Sequence, residues 1–236
     1  MVHAPSLQST VDRYAKSLAV PHGLTSLHNR NKHRPTQAEM SLAPAIVLTS
    51  VSAFEGFVEE FIAVTGAKRN LSFAQIVKLA HTNAPSLGDF GRNLVKQLGS
   101  WSEPTWVDNY TLDLYQPPEL TSSSNWWRTI NKPWSDVLTD AEGWLQVRHS
   151  LAHGLTRGYL SESWPSPMGQ RGFHVPASHV LREQQNNRHS LTLHGAINCA
   201  RILRHGAEIL CEHTAKTLGE KPPRWRAVPA FPLVSE

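Results

Sequence analysis

The stretch from Thr36 to Thr65 constrains the fold more than any other part of this 236-residue chain. Its apolar residues Ile46, Val47, Val51, Phe54, Val58, Phe61 and Ile62 recur at three- and four-residue spacing, which puts them on one stripe of a helix. Glu55, Glu59 and Glu60 fall off that stripe. A long helix with such a stripe has to bury it against other elements, so a layered bundle is required. Thr36 followed by Glu39 reads as a capping box at the start, and Gly66 as the stop. Pro44 removes one backbone donor and predicts a kink or a short break.

The rest of the chain supplies partners for that helix. Leu7 to Ala19 has helical spacing and is ended by Pro21. Pro21 to Pro35 then reads as a basic loop, with Arg30, Lys32, Arg34, His22, His28 and His33 and no acid. Ser72 to His81 and Ser86 to Leu98 are two shorter helices, with Ser72 and Ser86 as N-caps and Gly99 as a stop. Residues 100–134 lose periodicity and carry four prolines, so a long loop with one short strand is expected there. Asp136 or Ser135 caps a helix running to Leu155, and Ser190 or Asn187 opens the last helix, which runs to Leu218 and closes at Gly219. Residues 158–187 read as irregular.

The architecture implied is all-α, a bundle of about five to six helices with long loop insertions, occupying residues 1–220 as one domain. A proline-rich tail, 221–236, carries Trp225 and Phe231, which either pack on the body or end disordered.

Lys plus Arg exceed Asp plus Glu by four, a mildly basic balance that permits a polyanionic partner without demanding one. No apolar run approaches the ~20 residues of a bilayer-spanning helix, so no membrane association and a cytoplasmic location are expected. Cys199 and Cys211 lie twelve apart in one predicted helix, roughly 18 Å along its axis, and read as reduced core residues. Cys211, His213, Cys199, His205 and Glu208 offer soft ligands, but their spacing matches no zinc framework.

The helix from Val137 to Leu155 carries the chemistry. Its apolar face is Val137, Ala141, Trp144, Leu145, Leu151, Ala152 and Leu155, and Arg148 occupies the position where that series asks for a leucine. Such an arginine needs either a carboxylate inside the bundle or an anion at an open groove. Glu55, beside the core-like Phe54 and Val58, is the candidate carboxylate; the alternative is a solvated glutamate at the stripe's edge. His149 and His153, four apart, share one edge with Glu142 and Gln146, whereas Arg148 lies about 140° round the axis from His153. One helix therefore does not bring Arg148 and His153 to one atom, but two copies across a two-fold axis can.

The segment Arg148-His149-Ser150-Leu151-Ala152-His153-Gly154 resembles the R-x4–6-H motif of the HEPN superfamily, and Ser52 to Phe61 is similar to the acidic helix that precedes it in RiboL-PSP-type members. The resemblance implies a metal-independent endoribonuclease without cofactor, acting as a homodimer with one composite cleft, of the kind used as a toxin or in antiviral defence. An antitoxin or defence-system protein is then a further partner. Arg148 would stabilise the scissile phosphate and His153 would act as general base or acid. His149 stands where Asn or Asp is commoner.

Weaker expectations concern RNA binding by Arg30, Lys32 and Arg34, by Arg201 and Arg204 if the last helix borders the cleft, and by Trp126, Trp127 and Trp134 through stacking. The rival reading is a catalytically silent HEPN-like module that binds nucleotides or a partner protein. A structural helical adaptor is a third.

Overall fold

A computed structural model describes residues 6–27, 37–80, 85–99, 109–117, 128–153, 163–167, 174–181, 183–184 and 188–233. Six helices dominate these residues: α1 Leu7–Leu27, α2 Gln37–Lys68, α3 Phe73–Ala80, α4 Leu87–Leu98, α5 Trp134–Ala152 and α6 Leu193–Thr217. They are accompanied by two short antiparallel pairs, β1 Thr111–Tyr115 with β2 Thr129–Pro133, and β3 Glu183–Gln184 with β4 Arg188–His189.

Helix α2 is the axis of the bundle and packs against all five other helices. Its predicted stripe is fully buried, with Ile46, Val47, Val51, Phe54, Val58, Phe61 and Ile62 each inaccessible. Met40–Lys68, which contains an 18-residue window of mean hydropathy 1.5, is long and apolar enough to cross a membrane by length and composition, contrary to the expectation of no such segment. Central packing accounts for that apolarity, because a helix contacted from several sides needs more than one apolar face. Pro44 lies inside the helix, which continues through it.

Gly66 does not stop α2. A Cβ there would lie 2.9 Å from Ile76 Cγ1, so the glycine permits the close approach of α3. The stop is Asn70, whose φ of 55° is left-handed. Its N–H donates to the Ala67 carbonyl and the Leu71 N–H to the Gly66 carbonyl, each at 3.0 Å, a Schellman closure. The Thr36 cap lies outside the described residues. Gly219, with φ of 68°, closes α6 in the same way, since its N–H reaches the Lys216 carbonyl and that of Glu220 the Ala215 carbonyl.

Other boundaries also moved. Pro21 sits inside α1 with its ring buried, and the helix runs on to Leu27. A proline in a helix interior costs ~3 kcal/mol. Here packing offsets that loss: Pro21 and Thr25 are buried, and the His22 ring meets Phe231 edge-on at 5.7 Å. Ser86 does cap α4, through a full capping box with Asp89; burial pushes the Asp89 carboxyl up, but the bond from Arg92 and then the two from Ser86 hold it below its ordinary range. Ser72 makes the corresponding exchange with Gln75. Helix α5 starts directly from β2 at Trp134, with Pro133 rather than Ser135 or Asp136 at the cap position. Thr192, not Ser190 or Asn187, caps α6.

The predicted loop over 100–134 contains two strands rather than one. Leu112 and Leu114 of β1 face inward, and Asn198 of α6 fixes the strand by accepting from the Tyr115 N–H and donating to its carbonyl, both at 2.8 Å. The tail packs on the body: Trp225, Val228 and Phe231 are buried members of the single large core. Arg201 holds it by donating to the carbonyls of Ala230 at 3.3 Å and Phe231 at 2.8 Å.

Candidate functional site

Helix α5 turns its buried face differently from the sequence expectation. Trp134, Val137, Ala141, Gly143, Trp144, Val147 and Ser150 face the core, while Leu145 and Leu151 are half-buried and Ala152 is exposed. The core-facing series therefore passes through Val147, and Arg148 stands at its margin rather than in a leucine's place. Leu155 and Gly154 lie outside the described residues.

At that margin Arg148 meets α2. Its Nη2 lies 3.3 Å from each oxygen of Glu55, with side-chain exposures of 25% and 20%. So partly wetted a pair stabilises a fold by only roughly 0–1 kcal/mol. Its larger effect is to bias where the guanidinium points, through one charge-assisted hydrogen bond to Oε2 and the ion-pair contact with Oε1. His149 follows directly, and its ring lies against that of His153 one turn beyond, with centroids 4.5 Å apart and the planes tilted by 51°. His149 is half-buried and His153 exposed, at the C-cap of the helix. The structure thus unites Arg148 with Glu55 and His149 with His153, on neighbouring flanks of one helix end.

Further along the same edge of α5, a cavity of about 430 Å³ is bounded by Glu142, Gln146, Lys132 and Asp140, with Trp164 and His174 from the segment opposite. Gly143 allows that segment to lie against the helix, because a Cβ there would stand 2.7 Å from Trp164 Cα and 2.9 Å from the Ser163 carbonyl. Lys132 Nζ pairs with Asp140 Oδ2 at 2.7 Å. Burial pushes the Asp140 carboxyl above its ordinary value, and the ammonium opposes that. Helical spacing marks Glu142 and Gln146 in the sequence, but nothing local announces that Trp164 and His174 will meet them.

The two arginines of α6 expected as phosphate contacts serve the fold instead. Arg201 is engaged by the Asp113 carbonyl at 3.2 Å and by the two tail carbonyls. Arg204 is 6% exposed, pairs with Glu208, and lies 5.4 Å from the centre of the Trp225 ring. Trp134 is a core residue, edge-on to Tyr110 at 5.5 Å. Arg30, Lys32, Arg34, Trp126 and Trp127 lie outside the described residues. Cys199 and Cys211 are buried free thiols, and burial pushes both upward. Among the described residues no three His, Cys, Asp or Glu side chains converge as a metal set.

Beside Arg204, burial and the neighbouring arginines hold His205 below its ordinary value of 6.5. The folded state then binds fewer protons than the unfolded state as pH drops, so stability falls on acidification from about pH 6.5 down to the folded value. Glu208, held low by His205 and Arg204 against its burial, extends the loss below its ordinary 4.5. Urea midpoints measured across this range are expected to fall with pH, and His205→Gln is expected to flatten the upper part of the slope. A variant slope identical to that of the wild type contradicts the assignment.

Compared with family models, with curated proteins and with solved structures, the chain matches none.

Proposed function

We propose that the protein is a metal-independent endoribonuclease of HEPN type, acting as a homodimer whose two α5 ends form one cleft. The observation that carries this reading is the Arg148 guanidinium, held by Glu55 at a partly exposed margin on the helix end that also carries the adjoining His149 and His153 rings. RNA contributes its own nucleophile, so the protein needs only proton transfer and charge stabilisation. An imidazole of His153 takes the proton of the 2′-hydroxyl as the O2′–P bond forms. The P–O5′ bond breaks, and an imidazolium returns a proton to O5′. Arg148 binds the non-bridging oxygens, where negative charge builds. The products are a 2′,3′-cyclic phosphate and a 5′-hydroxyl. Glu55 orients the guanidinium, and a role as toxin or defence effector, with an antitoxin or defence partner, is consistent with such an activity.

Because Arg148 and His153 diverge on one helix, the proposal requires two chains. Arg148→Ala and His153→Ala homodimers are both expected to be inactive on RNA. Refolded together, they form mixed dimers that keep one wild-type arginine and one wild-type histidine, and these are expected to recover a measurable part of the cleavage. Mixtures no more active than either variant alone contradict the shared cleft.

The pairing of Arg148 by a carboxylate of its own chain also favours a second reading, a catalytically silent module that binds nucleotides or a partner protein through this face. The discriminating observation is RNA cleavage by the wild-type protein, which the silent module lacks.

A further inference from the structure

The tail that completes the core carries a charged outer face. Within residues 221–228, Pro223, Trp225 and Val228 are buried, whereas Lys221, Arg224 and Arg226 are exposed. The backbone that presents these cations is held in place. Pro222 and Pro223 fix two successive φ angles, and the Val228 N–H donates to the Trp225 carbonyl at 2.9 Å. Gln8 of α1 pins the segment at its centre: its Oε1 accepts from the Arg224 N–H at 2.8 Å, and its Nε2 donates to the Arg224 carbonyl at 3.4 Å.

Together with α1 the segment lines an open groove of about 820 Å³. Lys221, Arg224 and Arg226 stand on its wall against one carboxylate, Asp12, which already accepts from Gln8 Nε2. Glu220, just before the tail, is held by Lys68, and among the described residues no carboxylate pairs with any of the three cations. Cations clustered on a backbone fixed in advance form the electrostatic footprint of a polyanion site. A bilayer is the poorer match, because an interfacial segment needs large apolar anchors, and none of the exposed ones, Val20, Leu27, Phe73, Val77 and Leu181, lines the groove. A nucleic-acid strand held by its backbone needs only a positively charged trough.

The groove and the α5 end lie on different sides of α2. Trp225 packs on Phe57 and Arg148 pairs with Glu55, and these two α2 residues point about 200° apart around the helix axis. We infer that this groove holds the phosphodiester backbone of the RNA through Lys221, Arg224 and Arg226, away from the bond to be cut. The inference rests on the ribonuclease reading for the choice of RNA among polyanions, but its test needs no cleavage.

A fluorescent single-stranded RNA with every 2′-hydroxyl methylated cannot be cut, and its anisotropy reports binding alone. The full-length protein binds it, and Lys221→Gln/Arg224→Gln/Arg226→Gln binds at least tenfold more weakly at about 0.1 M salt. Each phosphate contact contributes ~0.7 to the slope of log K against log salt for a single strand, so loss of three lowers the slope by about 2. Lys78→Gln/Lys96→Gln, which removes exposed charge from α3 and α4, leaves affinity and slope unchanged. Equal binding by the triple variant, or an equal loss per charge in the double variant, overturns the inference. Binding to vesicles of phosphatidylcholine and phosphatidylserine without binding to the oligonucleotide also overturns it and assigns the groove to a membrane. RNA cleavage by the wild type with equal oligonucleotide binding by the triple variant removes the groove and keeps the nuclease. Loss of binding in the triple variant, with no cleavage by the wild type, keeps the groove and removes the nuclease.

Discussion

His153→Ala is expected to reduce RNA cleavage by about 10²–10⁴-fold, the range that loss of one general acid or base produces. Thermal stability is expected to stay within roughly ±0.5 kcal/mol, because exposed side chains away from caps and networks contribute little. His153 stands at the C-cap, but its side chain is exposed and the cap bond is made by its backbone N–H to the His149 carbonyl, which alanine preserves. Cleavage assays on purified variants, paired with thermal melts, separate the two effects. A stable variant that cleaves as well as the wild type removes His153 from the chemistry. Arg148→Ala has the same expected direction, and Glu55→Gln is expected to cost less, since the carboxylate acts through the arginine and not on the phosphate.

The largest expected effect on stability comes from the tail. Trp225→Ala is predicted to destabilise the protein by about 3–5 kcal/mol, the usual cost of truncating a buried Trp, which corresponds to a melting point lower by about 6–20 °C at this size. Trp225 is 5% exposed and lies edge-on to Tyr14 at 6.2 Å and to Phe57 at 6.1 Å, so its removal opens a void against both α1 and α2. It also removes the ring over which the nearly buried Arg204 guanidinium lies. Trp225→Phe is expected to recover most of the loss. A melting point unchanged by the alanine variant would mean that residues after Glu220 do not belong to the cooperative unit.

Features decided within a few residues of each other were legible in the sequence. The α2 stripe, the Ser86 cap and the Gly219 stop follow from helical period and from orphan N–H and C=O groups, which are local matters. The Arg148–Glu55 pair was also within reach, because an arginine and a carboxylate each beside an apolar stripe seek each other when partly buried. Features set by distant contacts were not. Pro21 breaks a helix by local rules, yet its ring is buried in the bundle.

The strand pair was hidden for a similar reason. β1 and β2 are five residues each, lie in a proline-rich stretch, and are held by Asn198, far along the chain. Arg201 and Arg204 look like a wetted basic face because nothing in their neighbourhood announces that a tail will cover them. Lys132, Asp140 and His174 meet only after a strand, a helix and an irregular segment have come together.

The central claim is that two α5 ends cut RNA without a metal. Incubating the purified protein with mixed cellular RNA in excess chelator, then identifying the fragment ends, tests it most directly. The account predicts undiminished cleavage with 2′,3′-cyclic phosphate and 5′-hydroxyl ends; cleavage that disappears with the chelator, or RNA left intact in its absence as well, contradicts it.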